Sequence, residues 1–333
     1  MSVLADKNVL VTGGAGFAGS HLVDLLLQEG ARVRVFDNLN NGKLVNLEHQ
    51  KDNPSFTFVE GDLLNAQDIA GALKDIDMVF HLACLGVRHS LKFPMENHRV
   101  NAEGTLLILE ESRKKGVEKF VYCSSSEIYG TAETVPMTEK HPIQPCTVYG
   151  SSKFAGEVYA RAYYKSFGFP TVMVRPFNMY GPRSHYEKDS GELIPKMIVR
   201  ALHNENLLVF GDGSQTRDFC YVEDNMRGLL EAAKHDTLIG EVVNVGSNSE
   251  TSILQIAEMI LRLVEGTTSK IEHVDGRPGD VLRLYADTTK FRTLTGWQPQ
   301  VTLEEGLRKT IAWFREKAGS ENLMALETAF NWK

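Results

Sequence analysis

Six short runs rich in β-branched and aromatic residues, "NVLVTG", "RVRVFD", "FTFVEGD", "DMVFHLA", "KFVYCSS" and "TVMVRPF", follow one another along the first half of the chain. Most are separated by segments with helical periodicity, such as "SHLVDLLLQEG" and "NAEGTLLILEESRKKG". This alternation leaves few folds open. Parallel strands need long crossovers, and helices supply them while covering both faces of the sheet. Right-handed crossovers are expected. The spacing therefore predicts an α/β protein whose doubly wound parallel sheet occupies residues 1–178. After about residue 178 the pattern loosens, and "GPRSHYEKDSGELIP" and "FGDGSQTRDFCYVED" read as ordered loops. The later helical pieces "SILQIAEMILRLVEG" and "LEEGLRKTIAWFREK" point to a smaller C-terminal α/β lobe, mainly residues 179–333. "VVNVGS" at 242–247 reads as a strand that could rejoin the main sheet, so 214–248 is assigned to the first domain.

Composition narrows the partners. A net charge of -7 argues against nucleic acid and anionic membranes, yet leaves room for a phosphate-bearing ligand in a local cationic pocket. The N-terminus lacks a basic region followed by an apolar core, and no stretch approaches a membrane span, so a cytoplasmic protein is expected. The four cysteines (Cys84, Cys123, Cys146 and Cys220) form no metal spacing and read as reduced thiols. Cys84 and Cys123 read as small core fillers. No metal is assigned.

"NVLVTGGAGFAGSHL" sets Gly13, Gly16 and Gly19 between the first strand and the first helix. Glycines allow a tight turn and close backbone approach, and the helix N-terminus offers free N–H groups to a pyrophosphate. A plain strand-to-helix turn would need glycine as well. The context favours a dinucleotide, because Asp37 closes the second strand in "RVRVFDN", where a carboxylate takes ribose hydroxyls and repels the extra phosphate of NADP. Lys43, close by, complicates that choice. Asp62 and Leu63 in "EGDLL" stand where an adenine could be held, although Asp62 could equally cap a helix. Together these features read as a Rossmann-type domain carrying NAD.

"VYGSSK" puts Tyr149 and Lys153 at i, i+4, on one face of a helix. A phenol of pKa about 10 is a poor base, but an adjacent ammonium stabilises phenolate. Such a pair also arises as a surface tyrosine on a lysine stem. Ser125, at the C-terminal end of a predicted parallel strand, lies where open α/β sheets place their ligands and could hold a substrate oxygen.

With these residues in view, the chain resembles an extended short-chain dehydrogenase/reductase of the NAD-dependent nucleotide-sugar epimerase/dehydratase family. The matching stretches include "VTGGAGFAGSHL", "HLAC", "NAEGT", "SSSEIYG", "YGSSK", "RPFNMYGPR", "GDGSQTRDFCYVED" and "RPGDVLRLYAD". The resemblance implies a catalytic triad of Ser125, Tyr149 and Lys153. It implies cofactor contacts at Gly13, Gly16, Phe17, Gly19, Asp37, Asn38, Asp62, Leu63, Leu82, Ala83, Asn101, Tyr149 and Lys153. A nucleoside-diphosphate sugar would be clamped by Asn178, Leu193, Arg217, Arg277 and Asp280, with two guanidinium forks suited to adjacent phosphates. Arg217 could instead be a structural partner of Asp218. Arg88 and Ser126 could reach the sugar, although Arg88 could also belong to a solvated loop. A homodimer built on the helices around 97–115 and 149–168 is implied too.

Glu127 bears on the reaction. After oxidation at C4, the neighbouring C5 proton is acidic, and a carboxylate could move it while water leaves from C6. The Ser-Ser-Glu order resembles 4,6-dehydratases and hexuronate decarboxylases, whereas "YGSSK" looks more like 4-epimerases. The reading leans to 4,6-dehydratase chemistry, with 4-epimerase as the alternative and UDP-glucuronate decarboxylase after it. Glu127 could also be only an ion pair or a loop cap. A non-catalytic NAD-binding regulator of the same fold is the reading from another class.

Overall fold

The computed structural model describes residues 2–276 and 281–330. The six runs expected to be strands are strands: β1 Asn8–Thr12, β2 Arg32–Asp37, β3 Phe56–Glu60, β4 Met78–His81, β5 Lys119–Cys123 and β6 Thr171–Pro176. Short strands follow at β7 Met179–Tyr180, β8 Leu207–Phe210, β9 Thr216–Arg217 and β10 Cys220–Tyr221, and then β11 Val242–Val245, β12 Thr251–Ser252 and β13 Ile271–Val274. The helices are α1 Phe17–Gln28, α2 Ala66–Ala72, α3 Val87–Lys92, α4 Pro94–His98, α5 Gly104–Lys114 and α6 Val148–Phe167. Beyond them lie α7 Leu193–Leu202, α8 Val222–Lys234, α9 Ile253–Leu263, α10 Thr289–Thr295 and α11 Leu303–Ala318.

Seven strands form one parallel sheet in the order β11-β6-β5-β4-β1-β2-β3. The chain starts at β1, winds outward to β3, then crosses back to β4 and winds the other way. The reversal falls between β1 and β4, where a doubly wound sheet opens a crevice at its C-terminal edge. The inner strands β1, β4, β5 and β6 are buried on both faces, which explains their apolar runs, while β2 and β3 at one edge alternate and are partly exposed. Val9 and Val11 pack on one side with α1 and α8, while Leu10 and Phe120 pack on the other with α2, α5 and α6.

The C-terminal half packs around a separate cluster that includes Ile198, Val209, Ile256, Ile260, Leu307 and Phe314. Its sheets are minimal: β8 pairs with β13, β9 with β12 and β7 with β10. β11 pairs in parallel with β6, so this stretch of the second half extends the main sheet. No described helix is long and apolar enough to cross a membrane.

Candidate active site

The cleft at the sheet's C-terminal edge begins with a polar spine. Thr12 Oγ1 lies 2.7 Å from His81 Nδ1, and His81 Nε2 lies 2.9 Å from Thr105 Oγ1. Thr105 donates its proton to Asn101 O, so it accepts from the Nε2–H, and Nδ1 is left to accept from Thr12. Thr12 Oγ1 in turn accepts the Leu82 and Ala83 N–H groups. The ends of β1 and β4 are thus locked together at the switch point. Burial pushes the His81 imidazole down to about 3, so it stays neutral.

The glycine turn is built for close approach. A Cβ on Gly19 would overlap the Gly13 carbonyl oxygen, and one on Gly13 would lie 2.7 Å from Ala83. Gly16 caps α1 with no side-chain hydrogen bond, leaving first-turn N–H groups facing outward. Asp37 accepts Ala15 N–H at 3.0 Å and Leu39 N–H at 2.9 Å, and burial raises its pKa. The nearby Lys43 ammonium is paired with Glu187, so the cation that complicated the choice between NAD and NADP is already engaged. Asn38 Nδ2 reaches Asp62 at 3.4 Å. Asp62 does not cap α2. Asn65 does, accepting Gln67 N–H at 2.9 Å, while Asp62 accepts Leu64 N–H. A bare helix N-terminus, a side-chain-free turn and a buried carboxylate fit a dinucleotide with free ribose hydroxyls.

On the other side of the switch point, Ser125 ends the segment after β5 and caps the turn Ser126–Ile128, its Oγ accepting Glu127 N–H at 3.2 Å. The α6 N-terminus presses on this turn: a Cβ on Gly150 would sit 2.7 Å from Glu127 O. Glycine in "YGSSK" therefore lets Tyr149 come down beside Ser125, whose hydroxyl hydrogen bonds to the phenol. Lys153 is buried one turn on, with its ammonium 4.6 Å from the centre of the Tyr122 ring. Lys153 and Ser125 pull the Tyr149 pKa down as expected, but burial outweighs both and holds it well above the ordinary phenol value. Expecting a net depression counted the charge and omitted the desolvation.

Behind these residues runs a second buried chain. Ser124 Oγ donates to Glu157 Oε2 at 2.7 Å, and Glu157 takes both arms of Arg175 at 2.5 and 2.9 Å. Arg175 NH1 donates to Tyr129 Oη at 2.6 Å, and Tyr129 donates to Asn244 Oδ1 at 2.7 Å. The network ties β5, α6, β6 and β11 to the loop that follows Glu127.

A cleft of about 680 Å³ collects Ser125, Ser126, Glu127, Tyr149, Lys153, Phe17, Leu82, Arg88, Asn178, Leu193 and Arg217. Asn178 Oδ1 is buried there without a hydrogen bond, an acceptor aimed at a ligand. The glycine turn, Asp37, Asn38, Asp62, Leu63 and Ala83 are not among the residues that line this cleft. Asn101 is used internally: it accepts Leu85 N–H at 2.8 Å and donates to Leu85 O, from a π-helical turn at Arg99–Glu103. Cys84 lines the cleft, and burial pushes the Cys123 thiol up to about 12, which suits a filler. Arg277 and Asp280 lie outside the described residues.

Sequence reasoning missed several lining residues. Asn41, His185 and Ser190 join the two halves across the cleft, with Ser190 Oγ donating to Asn41 Oδ1 at 2.8 Å. Lys196, Arg200, Phe210 and Glu327 form its lobe side. The available signal was two cations at i, i+4 in the otherwise apolar "LIPKMIVRAL".

The family model described as GDP-mannose 4,6 dehydratase matches residues 10–310. A putative UDP-glucose 4-epimerase of Methanocaldococcus jannaschii is 36% identical over 310 residues, covering 92% of this chain and 98% of that protein. A dTDP-D-glucose 4,6-dehydratase of Bos taurus is 35% identical over 322 residues, covering 93% of this chain and 89% of that protein. Among solved structures, the dTDP-glucose 4,6-dehydratase DesIV of Streptomyces venezuelae, with NAD bound, superposes with a TM-score of 0.89 at 31% identity, covering 94% of this chain and 98% of that one.

Proposed function

Given that the chain belongs to the extended short-chain dehydrogenase/reductase family of NAD-dependent nucleotide-sugar epimerases and dehydratases, we propose that it is a 4,6-dehydratase of a nucleoside-diphosphate hexose. The observation that carries this reading is Glu127, a carboxylate on the cleft wall two residues from Ser125 and in the same pocket as Tyr149. Gly13, Gly16, Phe17, Gly19, Asp37, Asn38, Asp62, Leu63, Leu82 and Ala83 would hold NAD, with Asn101 supporting the segment at Leu85. Bound NAD supplies a reversible hydride acceptor for sugar C4 and, when oxidised, a positive ring charge. Ser125 holds the C4 oxygen, and Tyr149 takes its proton once Lys153 and that second charge favour phenolate. Glu127 would then remove the C5 proton, made acidic by the C4 ketone, and pass a proton to the C6 hydroxyl as it leaves as water. The C5–C6 double bond so formed would take the hydride back at C6 and a proton at C5, giving the 4-keto-6-deoxy sugar. Asn178, Arg217 and Leu193 would hold the nucleotide, with Arg88 and Ser126 near the sugar. Leu106, Val158 and Phe167 are exposed on α5 and α6 and would form the seam of a homodimer.

The test is product analysis by NMR after incubation with UDP-, dTDP- and GDP-hexoses in deuterated water. A 4-keto-6-deoxy sugar carrying solvent deuterium at C5 is expected. Glu127→Gln should oxidise C4 and then stall with the C6 hydroxyl still present. A C4 epimer free of deuterium would replace the dehydratase reading with the 4-epimerase one, which the epimerase-like "YGSSK" favours. A decarboxylated pentose would point to the third chemistry, and no conversion of any sugar would mark a regulator.

A further inference from the structure

The lobe side of the cleft sets an apolar, partly aromatic patch beside a charged cluster of Lys196, Arg200 and Glu327. Leu193, Met197, Leu208 and Phe210 line the patch, and Phe330 packs edge-on against Phe210 with ring centres 6.0 Å apart. The chain beyond α11 folds back over this wall, anchored by the fully buried Leu323. Lys196 Nζ holds the returning segment by donating to Thr328 O at 2.5 Å and Ala329 O at 3.1 Å. The Glu327 side chain is 3% exposed. Its Oε2 accepts from Arg200 NH1 at 3.0 Å. Its Oε1 stands 3.4 Å from Lys196 Nζ and makes no hydrogen bond.

A buried carboxylate oxygen without a hydrogen bond is costly even beside a cation, and on a residue that lines a cleft it is an acceptor for a ligand N–H. The surroundings define that ligand. The aromatic Phe210 with its apolar neighbours accepts a flat heterocycle, and a single oxygen without a hydrogen bond accepts a single N–H. The Lys196 charge beside it complements a carbonyl oxygen flanking that N–H. We infer that Glu327 reads the nucleobase of the substrate and selects a pyrimidinedione, uracil or thymine, through its imide N–H. This rests on the nucleotide-sugar reading above. Cytosine presents a lone pair at the same ring position, which would face the carboxylate lone pair. Guanine presents two adjacent N–H groups, and the second oxygen they need is held by Arg200.

The experiment is calorimetric titration of the full chain with UDP, dTDP, CDP and GDP. Hydrogen bonds to charged groups are strong enough that UDP and dTDP should bind about tenfold to a hundredfold more tightly than CDP. In Glu327→Gln the side-chain amide can donate to cytosine as well as accept from uracil, so the UDP-to-CDP ratio should fall to within about threefold. Glu327→Ala should lower UDP and dTDP affinity while leaving CDP nearly unchanged. If Glu327 only anchors the chain end, both variants weaken every nucleotide alike and the ratio stays as in wild type, which overturns the proposal. Equal wild-type affinity for CDP or GDP and UDP overturns it too, and leaves the nucleotide-sugar reading standing. Binding of no nucleoside diphosphate overturns both.

Discussion

Ser125 and Glu327 face the same cleft, but the molecule places them by different means. Ser125 stands at the end of a strand paired on both sides, backed by Glu157, Arg175 and Tyr129 in a buried hydrogen-bonded chain. Glu327 lies in a returning segment held to α7 by two cations and a few carbonyl contacts. The sheet wall is fixed by backbone pairing and packing, which leave little slack. The Glu327 segment, by contrast, is held to α7 by side-chain ties and not by strand pairing. Chemistry that needs a fixed angle belongs on the first wall, and choice of ligand on the second.

That contrast can be broken. Tyr149→Phe keeps the ring that packs on the sheet wall and removes only the acid/base group. Turnover should drop by about 10²–10⁴-fold with nucleotide affinity unchanged. Retention of more than about a tenth of the rate would mean the proton leaves by another route.

Acid should strain the molecule next. Burial lowers His81 to about 3, His21 to about 4 and His185 to about 4, against 6.5 in the unfolded chain. As the pH falls below about 6.5, the unfolded chain takes up protons that the folded one refuses. The stability these histidines give is therefore present above 6.5 and lost as pH falls toward 4. By pH 5 the loss approaches about 2 kcal/mol per group. Melting temperature should fall steadily between pH 7 and 5, and a flat profile would show that the three rings are hydrated.

Glu157→Gln leaves the Arg175 guanidinium buried beside a neutral amide. Removing one partner of such a pair costs about 3–5 kcal/mol, so urea midpoints should shift strongly and activity should fall along with stability. Where the two halves meet across the cleft, Lys43→Ala removes only a half-exposed partner of Glu187. Cofactor release, followed by fluorescence, should quicken by no more than about fivefold, as expected of exposed pairs. A larger effect there than from Glu157→Gln on stability would reverse the assignment of rigid and adjustable walls.

The same division explains what the sequence reveals. β1 to β6, the glycine turn and the Tyr149–Lys153 pair are written in windows of a few residues, because strand pairing and helix spacing are local patterns. Glu127 and Ser125 are legible for the same reason: they follow a strand end. The resemblance implies a cofactor contact at Asn101, whose side chain bonds Leu85, Asn97 and Ser152 from a π-helical turn that has no short sequence signature. Glu327 meets Arg200 across 127 residues, and no periodicity records such a meeting. Desolvation of Tyr149 escaped notice likewise, since burial depends on everything packed around the ring.

The bridge between the two halves has a metabolic consequence. Lys43 with Glu187, and Asn41 with Ser190, tie the edge of the cofactor domain to the loop opposite. A cofactor seated beneath them, as the proposed contacts would have it, would exchange with the surrounding pool when these ties open. Because the proposed chemistry returns the hydride to the same sugar, such a cofactor need never leave. The enzyme would then be insulated from the cell's balance of oxidised and reduced NAD, and its flux would follow sugar supply alone.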